Sequence, residues 1–179
     1  MRAKHLTQDE ISRLRAAAGW AAWLPFHVAL YTGLRIDDVL SLRVENIGED
    51  HALFAAKKTG KVGVVELPPN LARQLRNISR DGWVFAGRGK QKHLTRQAAW
   101  YRIKRAAKAA GLDPAGISPH SFRKVFAVGE YHATHNLNRV RVLLQHDRAE
   151  TTLAYALADQ LREIDQPCAP AEDRRAGGG

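Results

Sequence analysis

Three segments of the chain hold more reactive side chains than a helical core needs. The first is Thr32-Gly33-Leu34-Arg35, which runs on through Asp37 and Asp38. The second is His120-Ser121-Phe122-Arg123. The third is Leu143-Leu144-Gln145-His146, with Tyr155 nine residues later. Between the first two, Lys57, Lys58 and Lys61 surround a Thr59-Gly60 pair. Guanidinium groups stay ionised and grip phosphate oxygens in pairs. Imidazoles exchange protons near neutral pH. A phenol, with a free pKa of about 10, is a workable covalent nucleophile once activated. Each segment alone also has a plainer reading. Arg35 could be a surface or capping arginine. His120 and Arg123, one helical turn apart on one side of a helix, could simply be a pair of bases salt-bridging to acids. Tyr155 could be a packed amphipathic residue.

The elements that would position these residues can be read from period and caps. Thr7 and Glu10 form a capping-box pattern that opens a helix, with Ile11, Leu14 and Ala18 at helical spacing. A second helix is predicted over about 21–31, with Pro25 tolerable near its first turn. Gly33 ends it, and a short helix follows over 36–42. Residues 52–58 and 62–67 change to a strand-like period and predict a β-hairpin. Its connection is Thr59-Gly60-Lys61, with a glycine able to take a positive φ. Asn70 is read as the cap of a helix to about Ile78, Asp81-Gly82 as a turn and Trp83-Val84-Phe85 as a brief extended piece. Residues 86–93 form a basic, glycine-containing loop. Thr95 caps a helix to Ala110, which Gly111 stops. Ala99, Ile103, Ala106, Ala107 and Ala110 share its apolar face. Gln97, Tyr101, Lys104, Arg105 and Lys108 share the opposite one. Further helices are expected over 120–131, 138–144 and 150–158. The sum is a mainly α fold with one small antiparallel hairpin.

Composition and charge narrow the class. The 179 residues are 45% hydrophobic and 26% charged, in the ordinary globular range, which argues against wholesale disorder. No apolar run reaches the roughly 18 residues of a spanning helix. The start, MRAKHLTQDE, lacks the apolar stretch of a secretory signal. The single cysteine, Cys168, forms no internal disulfide, and no Cys/His pair has zinc-finger spacing. The net charge is +10. Eleven basic residues and one acid, Asp81, lie between Arg73 and Lys108, so that segment carries the whole excess. Such concentration points to a polyanion, and a nucleic acid duplex is the usual one. A solvated basic face is the alternative. An aromatic, Tyr101, interleaved with Lys104, Arg105 and Lys108 would suit a groove-reading helix, with Gln97 and the loop lysines Lys90 and Lys92 beside it.

Taken together, the reactive residues resemble the catalytic domain of tyrosine recombinases, the phage integrase family. That family's pattern is an arginine in a TGLR-type turn, a lysine on a β-hairpin, a His-x-x-Arg helix start, a later histidine and a nucleophilic tyrosine nine residues on. The resemblance covers about residues 5–160. It matches Arg35 to the first arginine and Asp38 to the acid three positions later. Lys58, in KKTGK, matches the hairpin lysine, with Lys57 and Lys61 as competing choices. His120 and Arg123 match the His-x-x-Arg pair, His146 the later histidine and Tyr155 the nucleophile. The sequence departs from the pattern at Gln145, where glycine is usual, and at Lys124, where histidine often stands. If position 145 needs a left-handed turn, glutamine costs about 1 kcal/mol there.

The resemblance implies metal- and ATP-independent cutting and rejoining of DNA through a 3′-phosphotyrosine. Arg35, Arg123 and His146 would hold the phosphate oxygens. His120 would assist proton removal from Tyr155, and Lys58 would protonate the leaving 5′ oxygen. No cofactor is implied, and the chain contains no GxxxxGK[ST] loop. The expected organisation is a catalytic domain over 1–164 and a flexible C-terminal tail over 165–179. The N-terminal core-binding domain that clamps the other side of the duplex would be absent. Expected partners are double-stranded DNA and, on DNA, three further copies in a homotetramer, the free chain being a monomer. No membrane is involved, and the expected setting is the cytoplasm of a bacterial host. Two other readings use the same residues: a DNA-binding module with this fold but no efficient cleavage, and a type IB topoisomerase-like DNA relaxing enzyme.

Overall fold

The computed structural model describes residues 3–57, 60–88 and 92–144. Helix α1 spans Gln8–Ala18, and its start obeys the local rule. Thr7 Oγ1 accepts from the Glu10 N–H, while the Glu10 carboxylate accepts from the Thr7 N–H at 3.0 Å. Helix α2, Trp20–Thr32, is apolar almost all round, so it lies in the centre of the fold. It begins one residue earlier than expected, and Pro25 lies past the first turn. A proline there removes one main-chain hydrogen bond, and the burial of Trp23, Leu24, Phe26, Val28 and Ala29 around it offsets that loss. Gly33 closes α2 in the left-handed region at φ 67, donating its N–H to Ala29 O.

Helix α3, Ile36–Leu40, follows, then a single 3-10 turn at Val44–Asn46. Strands β1, His51–Ala55, and β2, Val62–Glu66, pair antiparallel, with Leu53 opposite Val64 and Phe54 opposite Gly63. The connection between them is longer than the expected three residues, and Gly60 takes φ 68 within it. Helix α4 spans Pro69–Ile78. Its cap is Pro68, not Asn70, because Pro69 at the first position already fixes φ and has no N–H to satisfy. Trp83 makes single bridges to Arg43 and Arg80 in place of a strand. Helix α5, Arg96–Ala109, starts on Thr95, whose Oγ1 accepts from the Ala98 N–H at 3.1 Å.

Helix α6 is Pro119–Thr134, longer than expected at its C-terminus, and α7 is Leu137–Leu143. Helices α2 and α6 pack side by side, and α1 packs on α5 and α2. The aromatic centre of this layer is Trp23, Phe26 and Phe122. The Phe26 and Phe122 rings lie 4.9 Å apart, and Trp23 meets Phe122 edge-on at 5.6 Å. Such pairs contribute about 0.5–1.5 kcal/mol each beyond their buried area. Because Phe122 lies between His120 and Arg123, this packing sets the first turn of α6 against α2. Among the described residues the fold is mainly α with one small antiparallel sheet.

Candidate active site

The Thr-Gly-Leu-Arg turn is built from local hydrogen bonds. Thr32 Oγ1 donates to Val28 O at 2.7 Å and accepts from the Leu34 N–H at 3.2 Å. Gly33 is required twice. Its φ of 67 suits glycine, and a Cβ there would lie 2.3 Å from Phe126 Cδ1 on α6. The turn leaves Arg35, half-buried, as the residue that opens α3.

Arg123 ties the separate segments together. It is 5% exposed. Its Nη1 donates to Gly33 O at 2.6 Å, and its Nη2 donates to Leu144 O at the end of α7. One planar guanidinium thus joins the Thr-Gly-Leu-Arg turn, the His-x-x-Arg helix and the residue just before Gln145-His146. A lysine, with one point-like head, has no comparable fork. His120 stands at the second position of α6 with an exposed edge, whereas Arg123, three residues on, points into the protein. Partial burial is the main influence that lowers the His120 pKa from its ordinary value. The charges of Arg123, Arg35 and Arg96 add to it, against a smaller upward pull from Asp37. The imidazole is therefore neutral at pH 7 and able to accept a proton.

The acid three positions after Arg35 has a defined job. Asp38 is 3% exposed, and its Oδ1 accepts from the Lys57 N–H at 3.0 Å. It anchors the hairpin main chain directly before Lys58. Lys58 itself, Lys90, His146 and Tyr155 lie outside the described residues, as does Gln145.

Among the basic candidates, Lys92, Gln97, Tyr101, Arg105 and Lys108 are exposed. Lys104 behaves differently from the solvent-facing residue its spacing suggests. Its ammonium donates to Pro114 O and, at 3.2 Å, to Ala115 O, and lies 5.0 Å from the Trp100 ring centre. Together with Arg88, Trp100, Tyr101 and Arg105 it borders an open groove along α5.

Three residues near these features escaped the sequence reading. Arg96 pairs with Asp37 across 3.7 Å and joins the start of α5 to α3. Its place after a threonine cap was the available signal. Trp100 adds a second exposed aromatic to the basic face. His93 meets Lys57 Nζ through Nε2 at 3.1 Å, a contact between residues 36 apart that no local pattern announces.

With this geometry in hand, comparisons with known proteins are specific. The model of the phage integrase family matches residues 4–162. The tyrosine recombinase XerD of Vibrio cholerae serotype O1 is 32% identical over 137 residues, covering 69% of this chain and 45% of that protein. The XerD of Caulobacter vibrioides is 29% identical over 175 residues, covering 85% and 56%. The chain thus spans about half the length of these relatives. Among solved structures, a lambda integrase tetramer bound to a Holliday junction superposes with a TM-score of 0.74 at 21% identity, over 94% of this chain and 52% of that one. The catalytic domain of bacteriophage HP1 integrase gives 0.64 at 19%, over 91% and 96%.

Proposed function

The chain belongs to the phage integrase family, and from that premise we propose that it is the catalytic domain of a site-specific DNA recombinase. Tyr155 Oη attacks a phosphodiester in line. The new bond is a 3′-phosphotyrosine, the bond to the 5′ oxygen breaks, and reversal with a different 5′-hydroxyl rejoins the strands. His120, neutral at pH 7, takes the phenol proton. Arg35, Arg123 and His146 stabilise the charge that grows on the non-bridging oxygens, where loss of one such donor costs about 10²–10³ in rate. Lys58 protonates the leaving 5′ oxygen. The phosphotyrosine retains the energy of the exchanged bond, so the cycle consumes no nucleotide.

One observation carries this reading. Arg123 bonds to both Gly33 and Leu144, which draws three segments far apart in the chain to one point. A module that only binds DNA has no use for that convergence beside a His-x-x-Arg turn. The substrate is double-stranded DNA, engaged through the basic surface of α5 and its preceding loop: Lys90, Lys92, Gln97, Tyr101, Arg105 and Lys108, with Lys104 at the groove wall. On DNA the chain assembles as a homotetramer, an arrangement supported by the junction-bound tetramer of lambda integrase; free, it is a monomer. Its setting is the cytoplasm of a bacterial cell, associated with DNA.

Trapping the intermediate tests the proposal. Incubation with nicked suicide duplexes drawn from a randomised pool should leave a protein–DNA adduct on a denaturing gel. Tyr155→Phe should abolish the adduct while leaving fold and DNA binding intact. An adduct that persists in the Phe variant assigns the attack to another residue, with Tyr101 and Tyr131 to be replaced next. Relaxation of a supercoiled plasmid lacking a recombination site would favour a relaxing enzyme instead.

A further inference from the structure

The open groove along α5 is bordered by Arg88, Trp100, Tyr101, Arg102, Arg105 and Lys108. Among the described residues no carboxylate lines it, so its charge is of one sign. Charge alone would suit any polyanion, and the aromatics narrow the choice. Trp100 is 41% exposed and Tyr101 59%, so two neighbouring rings form an apolar facet inside a cationic groove. The rings stand at 80° to each other, with centroids 5.2 Å apart.

The indole is held in place by the protein. Lys104 Nζ lies 5.0 Å from the Trp100 ring centre, and the same ammonium donates to Pro114 O and, at 3.2 Å, to Ala115 O. The loop that supplies these carbonyls is itself folded, with the Ala115 N–H donating to Asp113 Oδ1 at 2.8 Å. Lys104 is thus committed, and its charge attracts the ring and orients it before any ligand arrives.

A duplex offers little to such a facet. Its bases are stacked on one another, and a protein meets phosphates and base edges. An unpaired strand exposes its base faces. Cationic grooves with aromatic platforms bind it by stacking bases and tracking the backbone. The groove also starts close to the candidate active site. Helix α5 begins at Arg96, which pairs with Asp37 on α3, and Trp100 lies four residues on, about 6 Å along the axis.

We propose that the α5 groove is a binding site for single-stranded DNA, in which an unpaired base stacks on Trp100 while Arg88 and Arg102 hold flanking phosphates. Resting on the recombinase reading above, its occupant is the strand end that cleavage frees, kept near the site until it is rejoined.

The test uses the full chain and three labelled probes of equal length: an oligothymidylate of about 12 nucleotides, an abasic strand and a duplex. The oligothymidylate should quench tryptophan fluorescence and bind the parent more tightly than the abasic strand. Trp100→Ala should remove the quenching and weaken oligothymidylate binding by about tenfold, within the range of one base–aromatic stack. The abasic strand and the duplex should bind that variant as they bind the parent. Trp100→Phe, which keeps an aromatic face, should recover most of the affinity. Oligothymidylate binding indifferent to Trp100→Ala, an equal loss on the abasic strand or the duplex, or a Phe variant as weak as the Ala variant would each overturn the single-strand site alone. A parent that shows the expected binding but forms no adduct with suicide duplexes would overturn the recombinase reading, and with it the freed strand as occupant, but not the site.

Discussion

At the scale of single residues, the site is organised by what each group must share. Arg123 divides its fork between two main-chain carbonyls, and His120 sits in the field of three guanidinium groups. That field has a measurable consequence. Burial and positive neighbours disfavour the imidazolium, so the His120 pKa falls below its ordinary 6.5. Single-turnover cleavage should therefore hold its rate as pH drops through 6.5, and decline only below it. Arg96→Gln removes one positive charge and releases Asp37 from its ion pair; both changes favour the imidazolium. The acid limb should move up toward the ordinary value, checked by rates measured from roughly pH 5 to pH 8. A limb that stays in place would assign it to another group.

At the scale of elements, two short joints carry most of the positioning. The first is the α2–α3 turn at Gly33. Gly33→Ala adds about 1–2 kcal/mol for the left-handed backbone and roughly 1–3 kcal/mol for the clash with Phe126. The denaturant midpoint should fall accordingly, at unchanged slope. The second joint is Asp38 to the Lys57 N–H. Asp38→Ala should raise amide exchange across 51–66, whereas Asp38→Asn, which keeps an acceptor oxygen, should restore protection. Exchange unchanged in both variants would mean that the hairpin is held elsewhere. The helix starts were legible because capping is local: Thr7 and Thr95 act within three residues of their partners. Asn70 misled for the same reason. Its type suits a cap, but the prolines at 68 and 69 had already set the chain's entry.

At the scale of the whole molecule, the excess charge lies on one stretch of chain, and its placement predicts salt dependence. Binding to a non-cognate duplex should weaken with a log–log slope of about −0.9 per phosphate contacted. Arg105→Gln with Lys108→Gln should flatten that slope. Lys104→Gln should act through stability more than through the slope, because its ammonium is committed to Pro114 and Ala115 carbonyls. An unchanged slope in the double variant would place the contacting face elsewhere on the molecule.

Sequence alone determined what depends on residues within a turn or two. The capping box at Thr7, the helix stop at Gly33 and the apolar stripe of α5 follow from local sterics and periodicity, which act over about four residues, and the order of the reactive residues is read directly from the chain. Tertiary structure decided what depends on distant partners. Arg123 reaches Gly33 across 90 positions of chain and Leu144 across 21, Asp38 reaches Lys57 across 19, and His93 reaches Lys57 across 36. No spacing rule encodes those meetings. They exist because α6 packs on α2 through Phe122 and on the Gly33 turn through Phe126, and because the hairpin is seated on the core through Ala52 and Phe54.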